Sequence, residues 1–323
     1  MDWSPFSNIR YGVKKNRARY YVLFFLFLVF SVAPAYYYLT EDYTGNALTT
    51  NIDFENKRII DEADLQQENR KNPISFPNFI NQIYKKLSRD ALQLLTLANP
   101  ETKYVKIHSG LRREEIANIF ANALNWNKNN KEKFENLESR TLPNREGYYY
   151  PGVYIVRKDT PPEKAADLML ERFNQEVSSR YQKSTSEIIS IETALKVASI
   201  IEREAAGKND RRLISGIVWN RIFSGMNLEI DATLQYAKGS EEKGWWPKVT
   251  PKDKLIDSPY NTYQNEGFPP SPISNTSIAA ISAALNPQKT KCLFYLHDSK
   301  KQIHCSKTYE EHKQNVRRYL IGK

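Results

Sequence analysis

Apolar residues in the second half of the chain recur at alternating spacings of three and four, the period of a helix with one buried face. Ser184-Thr-Ser-Glu187 has the form of a capping box, and Ile188, Ile191, Leu195, Ala198 and Glu202 follow it on one stripe. A carboxylate therefore stands where the pattern calls for a core residue. Held against an apolar face it is poorly solvated, a setting that keeps a carboxyl protonated and able to act as a general acid. The alternative is that the helix ends there with Glu202 half solvated. Glu204, two residues on, is expected to point elsewhere.

The same periodicity predicts further helices. Pro161-Pro162 opens one that runs to about Val177, with Ala166, Leu170 and Phe173 on a face. Another covers residues 210–223, with Leu213, Ile217 and Ile222 apolar, and stops at Ser224-Gly225. A short one over 275–285 halts at Asn286-Pro287, and Thr308-Tyr-Glu-Glu311 caps the last. Upstream, Tyr104-Val-Lys-Ile-His108 alternates like a strand, Ser109-Gly110 turns, and a helix follows to Leu124 with Ile116, Ile119, Phe120 and Ala123 apolar. Glu146-Gly-Tyr-Tyr-Tyr-Pro-Gly-Val-Tyr-Ile-Val156 is dense in aromatics, which serve equally as sugar-stacking surface or as hairpin packing. Cys292 and Cys305 flank a predicted β-hairpin with its turn at residues 299–301. That arrangement puts the cysteines on neighbouring strands, diagonal to one another, and leaves their pairing open because spacing does not fix Cβ geometry.

The N-terminal pattern is different in kind. Residues 20–39 contain no charged side chain, long enough for a helix to span a bilayer; Arg10, Lys14, Lys15, Arg17 and Arg19 precede them, and Glu41 and Asp42 follow. The positive-inside rule keeps residues 1–19 in the cytoplasm and exports the remainder, so the chain is expected in the plasma (inner) membrane as a single-pass protein with its catalytic part outside. Ala33-Pro-Ala35 leaves a cleaved signal peptide as the competing reading. Residues 40–72, polar and weakly periodic, read as a linker. The 323-residue chain carries a formal charge of +10, which suits an anionic partner. Charge alone suggests nucleic acid, but an exported basic domain argues against it.

Several ordered stretches carry a resemblance: Ala198-Ser-Ile-Ile-Glu-Arg-Glu204, Gly225-Met-Asn-Leu-Glu-Ile-Asp-Ala-Thr-Leu-Gln-Tyr236, Ser258-Pro-Tyr-Asn-Thr-Tyr263, Gly267-Phe-Pro-Pro-Ser-Pro-Ile273 and Asn286-Pro-Gln-Lys-Thr290. From about Val105 onward the chain resembles the endolytic murein transglycosylases, also called the MltG or YceG-like family. Phe268 and Ser271 stand where the family's Gly-Leu-Pro-Pro-Gly-Pro has leucine and glycine, so that loop's backbone is expected to differ locally. The resemblance implies an α+β protein in which a small LysM-like module (residues 73–157) precedes a mixed α/β catalytic domain (158–323).

The activity it implies is lytic cleavage of the β-1,4 bond between N-acetylmuramic acid and N-acetylglucosamine in nascent glycan strands, leaving 1,6-anhydro ends and limiting strand length. Glu202 is then the expected catalytic acid, with Asp231, Gln235, Asn261, Thr262, Tyr263 and Glu146 as substrate-binding candidates. Asp231 and Asn261 are as readily turn and cap residues. Peptidoglycan strands, the membrane and peptidoglycan synthases are the implied partners. The rival function is a wall-binding scaffold of the same fold without catalysis. His108, His297, His304 and His312 lack the close spacing of a zinc site, and no phosphate loop occurs, so no metal or cofactor is expected.

Overall fold

A computed structural model describes residues 47–61, 101–137 and 145–321. From Leu48 onward these belong to one compact unit. The charge-free run at 20–39 lies outside the described residues, as do residues 62–72 of the expected linker and 73–100 of the expected small module. No helix among the described residues is long and apolar enough to cross a membrane.

Strand β1 (Ile52–Asp53) pairs antiparallel with β2 (Arg58–Ile59), and β3 (Thr102–Ile107) with β4 (Gly152–Arg157). Between β3 and β4 run helices α1 (Arg113–Leu124) and α2 (Lys128–Glu135). β3 alternates as its sequence requires, with Val105 and Ile107 buried and Tyr104 exposed. Its buried face meets Ile116, Phe120 and Leu124 of α1 and Phe134 of α2, forming a small core. Helix α3 (Pro162–Glu176) adds Ala165, Ala166 and Met169 to that core and Phe173 to the large one. The boundary expected at residue 157 thus falls ahead of a helix that both cores share.

The large core surrounds α5 (Ile191–Glu204), whose Leu195, Val197, Ala198, Ile200 and Ile201 are fully buried. The helix expected from Ser184 onward is in fact two. Helix α4 (Lys183–Ile188) ends, and α5 starts afresh with Ser190 as its cap, its Oγ accepting the Thr193 N–H at 3.1 Å. Ile188 is exposed in consequence, so the buried stripe begins later than its spacing suggested.

Against α5 lie α6 (Arg211–Phe223), α7 (Asp231–Lys238) and α8 (Ile278–Leu285). Helix α8 reads Ile-Ala-Ala-Ile-Ser-Ala-Ala-Leu, and its small residues let the backbones approach. A Cβ placed on Gly216 of α6 would meet the Gln288 carbonyl oxygen at 2.1 Å, so only glycine fits that crossing. The buried Trp219 donates its indole N–H to the Ala284 carbonyl at 2.9 Å. Strands β5 (Phe294–His297) and β6 (Ile303–Ser306) form the expected hairpin, and α9 (Tyr309–Val316) opens with the expected Thr308/Glu311 capping box.

Residues 48–61 depart from the linker reading. Leu48, Ile52 and Ile59 are buried in the large core, and the hairpin they belong to is pinned by backbone bonds. Thr50 Oγ donates to the Leu285 carbonyl at 2.8 Å, and the Asn51 side-chain amide donates to the Ile60 and Pro287 carbonyls, each at 3.1 Å. The hairpin's apolar residues, Leu48, Ile52, Phe54, Ile59 and Ile60, are interrupted by polar turn residues, and strands of two residues are too short for alternation to show.

Candidate active site

The C-terminal end of α5 carries two glutamates that the fold sends to different places. Glu202, only 5% exposed at its side chain, turns towards the start of α8. Its Oε1 accepts the Ser277 backbone N–H at 2.9 Å and also the Ser277 hydroxyl, while Oε2 accepts the Ser109 hydroxyl at 3.1 Å and faces Arg211 at 3.8 Å. A carboxylate with three donors at a helix N-terminus is a structural cap, favoured by the dipole and by the unpaired N–H groups there. Glu202 is therefore not half solvated, and it does not line the cleft.

Glu204 does. It opens on a cleft of about 810 Å³ whose walls include Asp231, Tyr263, Phe294, Tyr295, His297, Tyr309 and His312. The Tyr295 hydroxyl donates to Glu204 Oε2 at 2.7 Å. Burial pushes the Glu204 carboxyl above the usual carboxylate range and the neighbouring Asp231 charge adds to this, against the opposing pull of Tyr295, the Ala232 N–H and His297. Glu204 thus has the poorly solvated setting that sequence spacing had assigned to its neighbour.

The expected binding residues divide in the same way. Asp231, at the first position of α7, stands in the cleft with its Oδ1 accepting the Tyr263 hydroxyl at 2.7 Å. Burial raises the Tyr263 hydroxyl well above the ordinary tyrosine value, its bond to Asp231 adds to this, and Lys254 Nζ lies 4.4 Å over its ring. Thr262, by contrast, is a buried joint: its Oγ accepts the Ile230 N–H at 3.0 Å and lies 2.9 Å from the Thr233 hydroxyl, fixing the entry to α7. Asn261 is fully buried, and its amide donates to the Lys254 and Ile256 carbonyls while its Oδ1 takes the Tyr263 N–H. Both hold the loop that presents Tyr263. Gln235 lies one turn beyond Asp231 on α7 and is not part of the cleft wall.

Glu146 is fully buried away from the cleft, where its oxygens accept the Arg113 backbone N–H at 3.2 Å and the Tyr236 hydroxyl at 3.2 Å. Burial, with the Glu114 charge adding, raises its carboxyl to about 8. In Gly267-Phe-Pro-Pro-Ser-Pro, Phe268 packs edge-on to Trp219 with centroids 5.3 Å apart, and the Ser271 hydroxyl lies 2.7 Å from that of Tyr260. Both departures from the family pattern are thus taken up by local packing.

One wall of the cleft is the β5–β6 hairpin, which the site motifs did not include. Tyr295, His297 and Phe294 all come from β5, and the Asp298 N–H to Gln302 carbonyl bond of 3.0 Å closes its turn. Cys292 and Cys305 form a disulfide with Cα atoms 5.8 Å apart. Cys305 pairs in register with Tyr295, so the bridge is diagonal, as the hairpin reading anticipated. His297 Nε2 lies 2.8 Å from Asp210 Oδ2, and the two oxygens of Asp210 take the Ala206 and Gly207 N–H groups that follow α5. Among the described residues, no group of three or more His, Cys, Asp or Glu side chains is placed to hold a metal ion.

Alternation had marked β5 as a strand, but nothing in its pattern said that it would face Glu204. For Glu204 a signal did exist: Val197 and Ile200 precede it at spacings of three and four, just as Leu195 and Ala198 precede Glu202.

Comparison with known proteins places the chain. A stretch of 179 residues, 55% of this chain, is 36% identical to a Bacillus subtilis protein named endolytic murein transglycosylase and covers 49% of it. A Streptococcus pneumoniae protein of the same name is 31% identical over 180 residues, 33% of its own length. The matched stretch thus spans half or less of each curated relative. The crystal structure of a putative yceG-like protein from Listeria monocytogenes superposes with a TM-score of 0.58 at 29% identity, over 65% of this chain and 74% of that one. The YceG-like family model matches residues 79–318, most of the chain, and the protein belongs to that family.

Proposed function

We propose that this protein is an endolytic peptidoglycan lytic transglycosylase that cuts the β-1,4 bond between N-acetylmuramic acid and N-acetylglucosamine in nascent strands, with Glu204 as its general acid. The observation that carries the reading is a buried carboxyl of raised pKa at the floor of an aromatic-walled cleft, in a chain whose relatives bear that activity in their names. Glu204 gives its proton to the glycosidic oxygen as the C1–O bond breaks. The carboxylate so formed then takes the proton of the muramic C6 hydroxyl, whose oxygen bonds to C1 and closes the 1,6-anhydro ring. One residue thereby serves as acid and then as base, and the substrate's acetamido group can share the positive charge between the steps.

Asp231 and Tyr263, bonded to each other in the same cleft, are the groups suited to hold substrate hydroxyl or acetamido groups, and the exposed Tyr309 offers ring surface to a sugar. The β3–α1–α2–β4 unit is the part that corresponds to the LysM-like module expected at residues 73–157, an accessory surface for the same polymer. Residues 20–39 serve as the anchor that keeps the catalytic part outside the plasma membrane, beside the synthases that make its substrate. Mass spectrometry of glycan strands digested by the full-length protein tests the reading. We expect internal cuts ending in 1,6-anhydromuramoyl groups, and reducing ends in their place would show hydrolysis and overturn it.

A further inference from the structure

Resting on the assignment of Glu204 as the acid, a second residue acquires a role that neither the motifs nor the comparisons give it. Tyr295 sits on β5, its ring walls the cleft, and its hydroxyl donates to Glu204 Oε2 at 2.7 Å. The hydroxyl can donate to that oxygen whether the carboxyl is charged or neutral, so Oε2 is occupied in both states. The strand that carries it is held to β6 twice, by its backbone pairing and by the Cys292–Cys305 disulfide just ahead of its start. We propose that Tyr295 is a positioning residue for the catalytic carboxyl: its bond to Oε2 fixes the orientation in which Glu204 presents its proton to the leaving group.

A packing role alone would need only the ring. The hydroxyl adds a donor to a buried carboxylate, and such a bond favours the charged form. It thereby opposes the desolvation that would otherwise hold the acid too firmly protonated to return to its base form in the second step. The other charged or titratable groups facing Glu204 are Asp231 on α7, His297 on β5, Tyr263 in the loop before residue 264 and Arg203 on α5 itself, with Arg221 of α6 behind Tyr295. The substitutions below leave all of them in place.

The test is the pH dependence of kcat/KM on glycan strands for the full-length wild type, Tyr295→Phe and Glu204→Gln. Loss of the donor should move the alkaline limb of Tyr295→Phe to higher pH by about one unit, with a lower maximum. If Tyr295→Phe folds poorly, as read by thermal melting, 3-fluorotyrosine introduced at position 295 keeps the shape and strengthens the donor. Its alkaline limb should then move to lower pH. An unmoved limb in the folded variants, with Glu204→Gln inactive, overturns the role of Tyr295 and leaves the acid assignment standing. Wild-type activity in Glu204→Gln overturns both.

Discussion

At the level of single residues, α5 shows how two carboxylates two positions apart acquire opposite duties. Glu204→Gln should lower turnover by about 10²- to 10⁴-fold, since the amide keeps the shape and cannot supply the proton. Glu202→Gln should instead lower the melting temperature while the folded fraction still turns over, because it disturbs the cap on α8 that the Ser277 donors make. Activity per folded molecule, read beside a thermal melt, separates the two. Equal loss of turnover in both would contradict the division. Sequence could read that this helix end held a perturbed carboxyl, and could not read which one. Both glutamates continue an apolar stripe, and the choice is made by α8 and β5, segments some 70 to 90 residues away that compete for the two side chains. The same limit applies to Asn261 and Thr262, whose side chains are spent on the backbone while Tyr263 beside them reaches the cleft.

A third residue yields a prediction about pH. Glu146 is raised by burial from an ordinary carboxyl value of 4.5 to about 8 in the fold, so between those values the folded chain holds a proton that the unfolded chain has lost. Stability then falls as pH rises through that window, because the native state binds more protons than the denatured one. Glu146→Gln removes the titration and should flatten the decline in denaturant midpoint between about pH 5 and 8. A slope unchanged from the wild type would show that other groups carry it.

At the level of elements, the β5–β6 hairpin is constrained by its disulfide and the α6–Gln288 crossing by a close backbone approach. Replacing both Cys292 and Cys305 by serine opens a loop with a sequence separation of 13. The expected cost is about 3 kcal/mol, seen as a lower denaturant midpoint in the oxidised protein and absent when wild type and variant are compared under reductant. Gly216→Ala should cost about 1–3 kcal/mol or more, since its Cβ has no room beside a backbone oxygen. Most helices here were legible from periodicity and caps, α3, α6 and α9 among them. The division between α4 and α5 was not: the Ser184/Glu187 pattern reads as a cap, but α4 starts after Gln182 with Ser184 inside it, and the cap that forms is Ser190, at the start of α5.

At the level of the whole molecule, the hairpin of residues 48–61 is tied to Leu285 of the large core and to the two residues after it. Thr50 bonds the Leu285 carbonyl across 235 positions, and Asn286 returns an amide to the Thr49 carbonyl across 237. During synthesis this segment leaves the ribosome long before its partners exist. If residues 1–19 stay inside and the chain beyond the anchor is threaded outward, this segment crosses first and must wait unpaired on the far side until α8 arrives. Contacts of such separation are slow to form and leave apolar surface open to wrong partners in the interval. On the proposed exported topology, the core can close only once α8 has emerged, so the proposed activity would be withheld until the last stage of the chain's own export.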